Sequence, residues 1–164
     1  MHVNFESNSL GDTEVAGREI AQQLGFPACV YMQASMGMGK TILCKSIIQG
    51  LGYSGADTSP TYNLVQEYPV SGGVIYHMDL YRLQDPEELE YLALADLWTA
   101  RSLFLVEWPE RGAGYLPSAT AQIHIEKAQN GADQSRQISF SAHGWDKTRS
   151  SLTLRQLNAD IKLA

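Results

Sequence analysis

The chain has 164 residues, with 18 Asp plus Glu against 12 Lys plus Arg, a formal net charge of −6 and 44% hydrophobic residues. A chain of this length can bury one sizeable core, and two cysteines without a C-x-x-C spacing exclude a small disulfide-stapled scaffold. The first residues lack a basic and an apolar segment, and no apolar run approaches the roughly 18 residues of a membrane span, so we expect a single cytoplasmic domain over residues 1–164 without membrane contact.

The distribution of positive charge bears on nucleic-acid binding. A protein that holds a nucleic-acid backbone needs clustered Lys and Arg, because binding depends on displacing the counterions of the phosphates. The seven arginines and five lysines are scattered along this acidic chain and form no basic stripe. We therefore expect no strong direct binding of nucleic acid by this chain alone.

The N-terminal part of the chain predicts a strand, a helix and a second strand. Residues 3–6 are a short strand candidate, and Ser9 or Asp12 can cap a helix that stops at Gly25. Four apolar residues fall roughly on one face of this helix, namely Val15, Ile20, Ala21 and Leu24. Residues 28–33 form a mostly apolar run that is typical of a central strand buried on both faces.

A glycine loop follows that strand. Residues 34–41, A-S-M-G-M-G-K-T, match the P-loop pattern G-x-x-x-x-G-K-[ST] except that Ala34 replaces the first glycine, which a negative φ would allow. The pattern binds phosphates because backbone N–H groups line one concavity, the lysine reaches the terminal phosphates and the hydroxyl binds Mg²⁺. A helix from Lys40 to Gly52 completes the strand–loop–helix order, which disfavours the alternative of a glycine-rich turn with a solvated lysine.

The rest of the chain predicts a hairpin, a helix and further strands. The hairpin strands are residues 62–68 and 74–81, joined by residues 69–73. Asp85 caps a helix with Pro86 at its first position, and the alternative for its acidic start is a docking surface. The later elements are strands at 103–106, 121–126 and 137–142 and a weak amphipathic helix at 150–164.

Two acidic residues come directly after apolar strands. Asp79 follows residues 74–78, and Glu107 follows residues 103–106. A nucleoside triphosphatase needs an acid at a strand end for its metal and a group that orients the attacking water. The spacing does not rank the two acids, and the alternatives are a salt bridge with Arg82 for Asp79 and a helix or loop cap for Glu107.

Four further motifs follow the glycine loop. They are S-P-T-Y-N-L-V at 59–65, H-M-D-L-Y-R-L at 77–83, D-P-E-E-L at 85–89 and V-E-W-P-E at 106–110. In this order they resemble the bacterial TsaE (YjeE) family, and the resemblance covers residues 17–125. Each motif is weak alone, but their conjunction is specific.

The resemblance implies a fold and a function. The implied fold is α/β and P-loop NTPase-like, with three layers, a mostly parallel central sheet, an antiparallel hairpin and helices on both faces. The implied function is that of an ATPase, dependent on ATP and Mg²⁺, which is required for the threonylcarbamoyladenosine modification of tRNA. It acts with the proteins TsaB and TsaD and does not transfer the group itself.

The resemblance also implies roles for particular residues. The nucleotide would be held by Gly37, Met38, Gly39, Lys40, Thr41 and Ile42. Thr41 and Glu107 would bind Mg²⁺, with Asp79 in a switch beside the metal and as a further candidate ligand. Thr61 matches the switch threonine of the family, so that Asp79, Glu107 and Thr61 are the catalytic candidates.

Three other positions are less specific. Trp108 would lie close to the nucleotide, and the alternative is an aromatic residue in the core at a strand end. Arg136 matches a position near the nucleotide. We expect His77 to be packed or hydrogen-bonded at its strand, and Ile42 departs from the family in replacing a second threonine.

Two other functions compete with an ATPase. A small-molecule kinase would share the P-loop but would need a lid that brings arginines over the phosphates, and no arginine-rich segment is visible. A nucleotide-binding module without turnover is the second alternative, which Asp79, Thr61 and Glu107 disfavour.

Overall fold

In a computed structural model, residues 1–55, 64–129 and 134–143 are described. The helices in these ranges are α1 (Leu10–Gln23), α2 (Lys40–Gly50) and α3 (Leu94–Leu97). The strands are β1 (His2–Ser7), β2 (Ala28–Ala34), β3 (Val65–Val70), β4 (Gly73–Asp79), β5 (Ser102–Glu107), β6 (Ala121–Lys127) and β7 (Arg136–Ala142). They form one mixed sheet in the order β1-β7-β6-β2-β5-β4-β3.

The centre of the sheet is parallel and both edges are antiparallel. The four central strands β6, β2, β5 and β4 run parallel to one another. Strand β3 pairs with β4, and β7 pairs with β6 and β1, in the antiparallel sense. The predicted α/β fold is therefore confirmed, and the β6-β7-β1 edge adds an antiparallel region beyond the predicted hairpin.

Both faces of the central strands are covered, which explains their apolar sequences. In β5, Leu103 and Leu105 belong to a core cluster with residues of α1 and α2, whereas Phe104 and Val106 belong to a second cluster on the other face. This alternation follows from the two-residue period of a strand. The second face is covered by 3-10 turns and short helices rather than by long α-helices.

Helix α1 begins as predicted, but its buried face differs from the predicted apolar face at one position. Ser9 is the cap, and its hydroxyl accepts the backbone N–H of Asp12 at 3.2 Å. Ile20 and Ala21 are buried as expected. The prediction for Val15 was wrong, since its side chain is 43% exposed, and its neighbour Ala16 is buried instead.

Helix α2 ends at a glycine turn and packs closely on α1. It stops two residues before the predicted end, and Gly52 follows with φ +100°, the left-handed conformation that favours glycine after a helix. A Cβ added to Gly17 of α1 would lie 2.5 Å from the Cβ of Ser46, so the two helices approach each other over that glycine.

The hairpin and the acidic helix differ in detail from the predictions. Strand β4 ends at Asp79, two residues earlier than expected, because the Asp79 carboxylate accepts the N–H of Tyr81 at 3.1 Å and starts a 3-10 turn. Asp85 caps the next helix as predicted, and a capping box with Glu88 is formed. That helix, Pro86–Leu92, is a 3-10 helix.

The remaining predicted strands are confirmed within one residue at each end. The predicted C-terminal helix at 150–164 and the first residues of the predicted hairpin, 62–63, lie outside the described residues. Within the described ranges, no helix is both long enough and apolar enough to cross a membrane.

Candidate nucleotide site

The two glycines of the loop between β2 and α2 both have a left-handed backbone conformation. Gly37 has φ +78° and Gly39 has φ +94°. Among the described residues, no neighbouring atom lies within 4 Å of a Cβ added at either position, so it is the backbone conformation that favours glycine here. Ala34 is the last residue of β2 and has no positive φ, which confirms that alanine fits the first position of the pattern.

The start of α2 is open to an anion. Its N-cap is Gly39, and no side chain in the described part of the chain caps the helix. The first backbone N–H groups of a helix have no partner within the helix, and the helix dipole places positive charge at this end. A phosphate oxygen is a natural partner for such groups.

The side chain of Lys40 folds back over this loop. Its Nζ donates hydrogen bonds to the carbonyl oxygens of Ala34 at 2.8 Å and Ser35 at 2.9 Å. The residue is only 8% exposed, and burial lowers the pKa of its ammonium group, while the charges of Glu107 and Asp79 oppose that shift. The ammonium group is therefore partly desolvated, and its residue lines the same cavity as the two acidic residues.

One cavity of about 410 Å³ brings most of the predicted site residues together. Its lining consists of Met36, Gly37, Gly39, Lys40, Thr41, Ile42, Asp79, Tyr81, Glu107 and Trp108. Asp79 and Glu107 are register partners at the ends of the parallel strands β4 and β5. The two carboxylates therefore reach the same edge of the sheet, next to the start of α2.

Glu107 is nearly buried and is held by two side chains. It is 5% exposed, and its Oε1 lies 2.8 Å from Nε2 of His77 and 3.4 Å from Sγ of Cys44. These partners among the described residues are side chains rather than backbone amides, so the alternative role of Glu107 as a helix or loop cap does not apply. His77 is hydrogen-bonded at its strand, as predicted.

Two sets of donors in this region could hold a metal ion. Sγ of Cys44, Nε2 of His77 and a carboxylate oxygen of Glu107 lie within 4.8 Å of one another. Burial, with the nearby charge of Glu107, raises the pKa of the Cys44 thiol well above its usual value, so the thiolate that a soft metal needs is disfavoured. The distance of 2.8 Å between His77 and Glu107 is that of a hydrogen bond.

The second set consists of oxygen donors. The hydroxyl of Thr41 and the carboxylates of Asp79 and Glu107 belong to residues that line the same cavity. Carboxylate and hydroxyl oxygens suit Mg²⁺, which is usually bound by one or two carboxylates together with substrate phosphates. These residues therefore fit a magnesium ion better than the Cys44 group fits a transition metal.

Trp108 has an unusual backbone and a central position. It follows Glu107 directly, has φ +57° and starts the 3-10 helix Pro109–Gly112. Nζ of Lys40 lies 4.3 Å from the centroid of its ring, and the ring of Tyr81 lies 5.1 Å away on centroids. Trp108 also packs against the second core cluster, as the core alternative expects, whereas its proximity to a nucleotide stays a prediction.

A larger cavity of about 600 Å³ adjoins the first one and shares Trp108 with it. Its lining consists of Met32, Gln33, Ala34, Ser35, Met38, Trp108, Glu110, His124, Ile125, Glu126 and Lys127. Apart from the loop and Trp108, these residues were not predicted as site residues. Except for Glu110, which belongs to the 3-10 helix after Trp108, they come from the carboxyl ends of the neighbouring strands β2 and β6, which are far apart in sequence.

Two predicted residues are not brought into these cavities by the described structure. Arg136 opens β7, donates a hydrogen bond to the Ser135 carbonyl at 3.1 Å, and is the register partner of Lys127. It is thus one strand away from the larger cavity. Thr61 lies outside the described residues.

The motifs did not predict that Cys44, His77 and Tyr81 contact the other residues of this site. Cys44 was not predicted as a site residue, and Tyr81 was placed at the end of the predicted strand 74–81. The one available signal was spacing, since His77 lies two residues before Asp79 and a strand with a period of two puts both on one face.

A family model confirms the relationship that the motifs indicate. The model described as "Threonylcarbamoyl adenosine biosynthesis protein TsaE" matches residues 7–138. This chain belongs to the TsaE family. The matched range includes the glycine loop, Asp79 and Glu107, and it ends within β7.

Individual TsaE relatives agree with this assignment. The tRNA threonylcarbamoyladenosine biosynthesis protein TsaE of Haemophilus influenzae is 47% identical over 97 residues, which span 59% of this chain and 61% of that protein, less than two thirds of its length. The Bacillus subtilis protein of the same name is 35% identical over 113 residues, covering 69% of this chain and 68% of the relative.

A solved structure matches the fold of this TsaE-family chain. The crystal structure of Bacillus subtilis YdiB superimposes with a TM-score of 0.71 and covers 98% of this chain and 97% of its own. The sequence identity is 24%, so this match bears on the fold alone.

Proposed function

We propose that this chain is an ATP-binding and ATP-hydrolysing subunit in the threonylcarbamoyladenosine modification of tRNA, acting in the cytoplasm with TsaB and TsaD. One observation carries the ATPase proposal. The glycine loop, Lys40 and two carboxylates from adjacent parallel strands line the same cavity. The family membership supports the pathway.

The terminal phosphates would lie at the loop and the start of α2. The free N–H groups of the first helical turn would donate to phosphate oxygens, and Lys40 would exchange its carbonyl partners for them. This exchange is favourable because an anion is a stronger partner for an ammonium group than a neutral carbonyl oxygen is.

The oxygen donors of Thr41, Asp79 and Glu107 would hold Mg²⁺. When bound, the ion neutralises charge on the phosphate oxygens. Asp79 is half-buried and already accepts the N–H of Tyr81, so its orientation is fixed at the cavity wall. From this position it can orient a water molecule or share the metal with Glu107.

The nucleoside would occupy the larger adjoining cavity. Its volume of about 600 Å³ lies within the roughly 300–1,000 Å³ range of small-molecule sites. Trp108 lines both cavities, which supports the prediction that it lies close to the nucleotide. Met38 belongs to the larger cavity as well, on the loop side.

To test this proposal, the chain is incubated with Mg²⁺ and ATP, both alone and together with TsaB and TsaD, and the reaction products are identified. We expect ADP and free phosphate. Asp79→Asn and Glu107→Gln should each lower turnover by at least about 100-fold, since each removes a carboxylate that would hold the Mg²⁺ ion or orient the attacking water. Glu14→Gln, an exposed carboxylate outside the cavity, is the matched control and should retain full turnover.

Three results would contradict parts of the proposal. A phosphorylated small molecule would indicate a kinase, and tight ATP binding without products would indicate a module without turnover. Full turnover by either variant would limit that carboxylate to a structural role.

A further inference from the structure

The carboxylate of Glu107 is hydrogen-bonded to a buried histidine. His77 is 3% exposed, lies on β4 two residues before Asp79, and places Nε2 at 2.8 Å from Oε1 of Glu107. Sγ of Cys44 approaches the same oxygen at 3.4 Å. Both contacts therefore converge on Oε1.

We propose that His77 is a positioning residue for Glu107. Its Nε2–H donates to Oε1, so that Oε2 is the oxygen offered to Mg²⁺ in the cavity. This inference rests on the proposed function, because it gives His77 the role of orienting a residue that is proposed to bind the metal.

The hydrogen-bonding state of the ring supports this role. A carboxylate that binds a metal is ionised and can only accept hydrogen bonds, so Nε2 of His77 carries the hydrogen. Nδ1 is buried and has no hydrogen-bond partner among the described residues. A buried polar atom without a partner destabilises the fold, and an apolar residue at this position would avoid that cost. The histidine is therefore better explained by what Nε2 does than by packing.

The chemistry of the metal explains why orientation matters. Mg²⁺ requires near-ideal octahedral geometry and uses few protein ligands, so a freely rotating carboxylate is a poor ligand. Hydrogen bonds from a second layer of residues fix the direction of a ligand, and their loss typically weakens metal binding about 10- to 100-fold. Cys44 is a weaker donor at a longer distance, which leaves His77 as the main support.

A matched pair of substitutions separates the hydrogen bond from packing. In His77→Gln the side-chain amide can bring an N–H to the place of Nε2, whereas His77→Met has similar length and shape without a donor. ATP affinity is measured by titration with EDTA and over a series of Mg²⁺ concentrations. Circular dichroism and thermal unfolding check that each variant is folded.

We expect metal-free ATP affinity to be unchanged in both variants. The Mg²⁺ concentration for half-maximal enhancement of ATP binding should rise about 10- to 100-fold in His77→Met and stay near the parent value in His77→Gln. In a Glu107→Gln background, where no carboxylate needs orienting, His77→Met should add no further loss of Mg²⁺ dependence.

Several outcomes would overturn the inference. The first is that His77→Met needs no more Mg²⁺ than the parent chain for half-maximal enhancement of ATP binding. The second is that His77→Gln and His77→Met need the same raised Mg²⁺ concentration. The third is that His77→Met raises this concentration equally in the parent and in the Glu107→Gln background. If His77→Met does not fold, His77→Asn replaces it, since its shorter amide does not reach Glu107, and equal behaviour of Asn and Gln again overturns the inference. A parent chain that binds no ATP at all contradicts the proposed function instead.

Discussion

Lys40 is held by two backbone carbonyls in the structure, at distances of 2.8 Å and 2.9 Å. Its ammonium group also lies over the face of Trp108, at 4.3 Å from the ring centroid. These contacts pre-position a cation at the mouth of the cavity. A bound terminal phosphate would offer the same cation a stronger, charged partner.

Replacing Lys40 should therefore weaken nucleotide binding severely. A hydrogen bond to a charged group contributes about 1.5–3 kcal/mol, so Lys40→Ala should lower ATP affinity about 10- to 150-fold. Lys45→Ala, a change of the same size at an exposed position on the same helix, should have little effect. Titration of both variants with ATP tests this, and equal affinities would place the phosphates elsewhere.

The spacing of residues in the sequence was enough to predict the glycine loop but not the side chains that support Glu107. Gly37, Gly39 and Lys40 were predicted because a P-loop is contiguous in sequence. The support of Glu107 comes from His77 and Cys44, which are 30 and 63 residues away in the chain. Only the register of β4 on β5 and the position of α2 bring these groups together, and neither is encoded in a local pattern.

The elements of the fold were predictable where burial or capping decides them. Strands β2 and β5 are apolar because both of their faces are covered, and Asp85 starts a helix because its side chain and Glu88 satisfy free backbone N–H groups. The end of β4 was missed, since it depends on one hydrogen bond to the N–H of Tyr81. Val15 was misplaced because apolar residues on a helix are not all buried.

The close packing of α1 on α2 gives a prediction at the level of these elements. A Cβ added at Gly17 would meet Ser46 Cβ at 2.5 Å and the carbonyl oxygen of Leu43 at 3.2 Å, so Gly17→Ala must push the helices apart. Such overpacking should lower the free energy of unfolding by about 1–3 kcal/mol. Chemical denaturation measures the change.

The matched control is Gly11→Ala in the same helix. The nearest atom to a Cβ there is 3.7 Å away, and alanine favours helix over glycine by up to about 1 kcal/mol. This variant should therefore be as stable as the parent chain or more stable. If Gly17→Ala were as stable as the control, the two helices would not be constrained at this contact.

On the scale of the whole molecule, the order of the strands could not be predicted. The element sequence indicates an α/β fold, but nothing local requires β1 to pair with β7 or β6 to lie beside β2. That pairing places the larger cavity between β2 and β6, next to the loop. The second half of the proposed nucleotide site is therefore a consequence of topology.

The net charge of −6 bears on whether the chain binds tRNA directly. Without a basic stripe, the isolated chain cannot release many counterions from a nucleic acid, and binding to tRNA should be weak at physiological salt. We therefore expect protein contacts to link it to the tRNA. The acidic 3-10 helix is one candidate surface, since Asp85 and Glu88 are used in its capping box, whereas Glu87, Glu90 and Tyr91 are exposed.

We accordingly expect a complex with TsaB and TsaD whose stability depends on the nucleotide. Lys40 contacts the ring of Trp108, and that ring contacts Tyr81, which is 40% exposed. A phosphate that draws Lys40 away changes the partners of Trp108, which already has a strained φ of +57°, and so alters a surface residue.

Sedimentation of the three proteins with ATP, ADP or no nucleotide should show different association, and Lys40→Ala should remove the difference. Tight tRNA binding by the isolated chain, or no association in any nucleotide state, would contradict this account of how the chain acts.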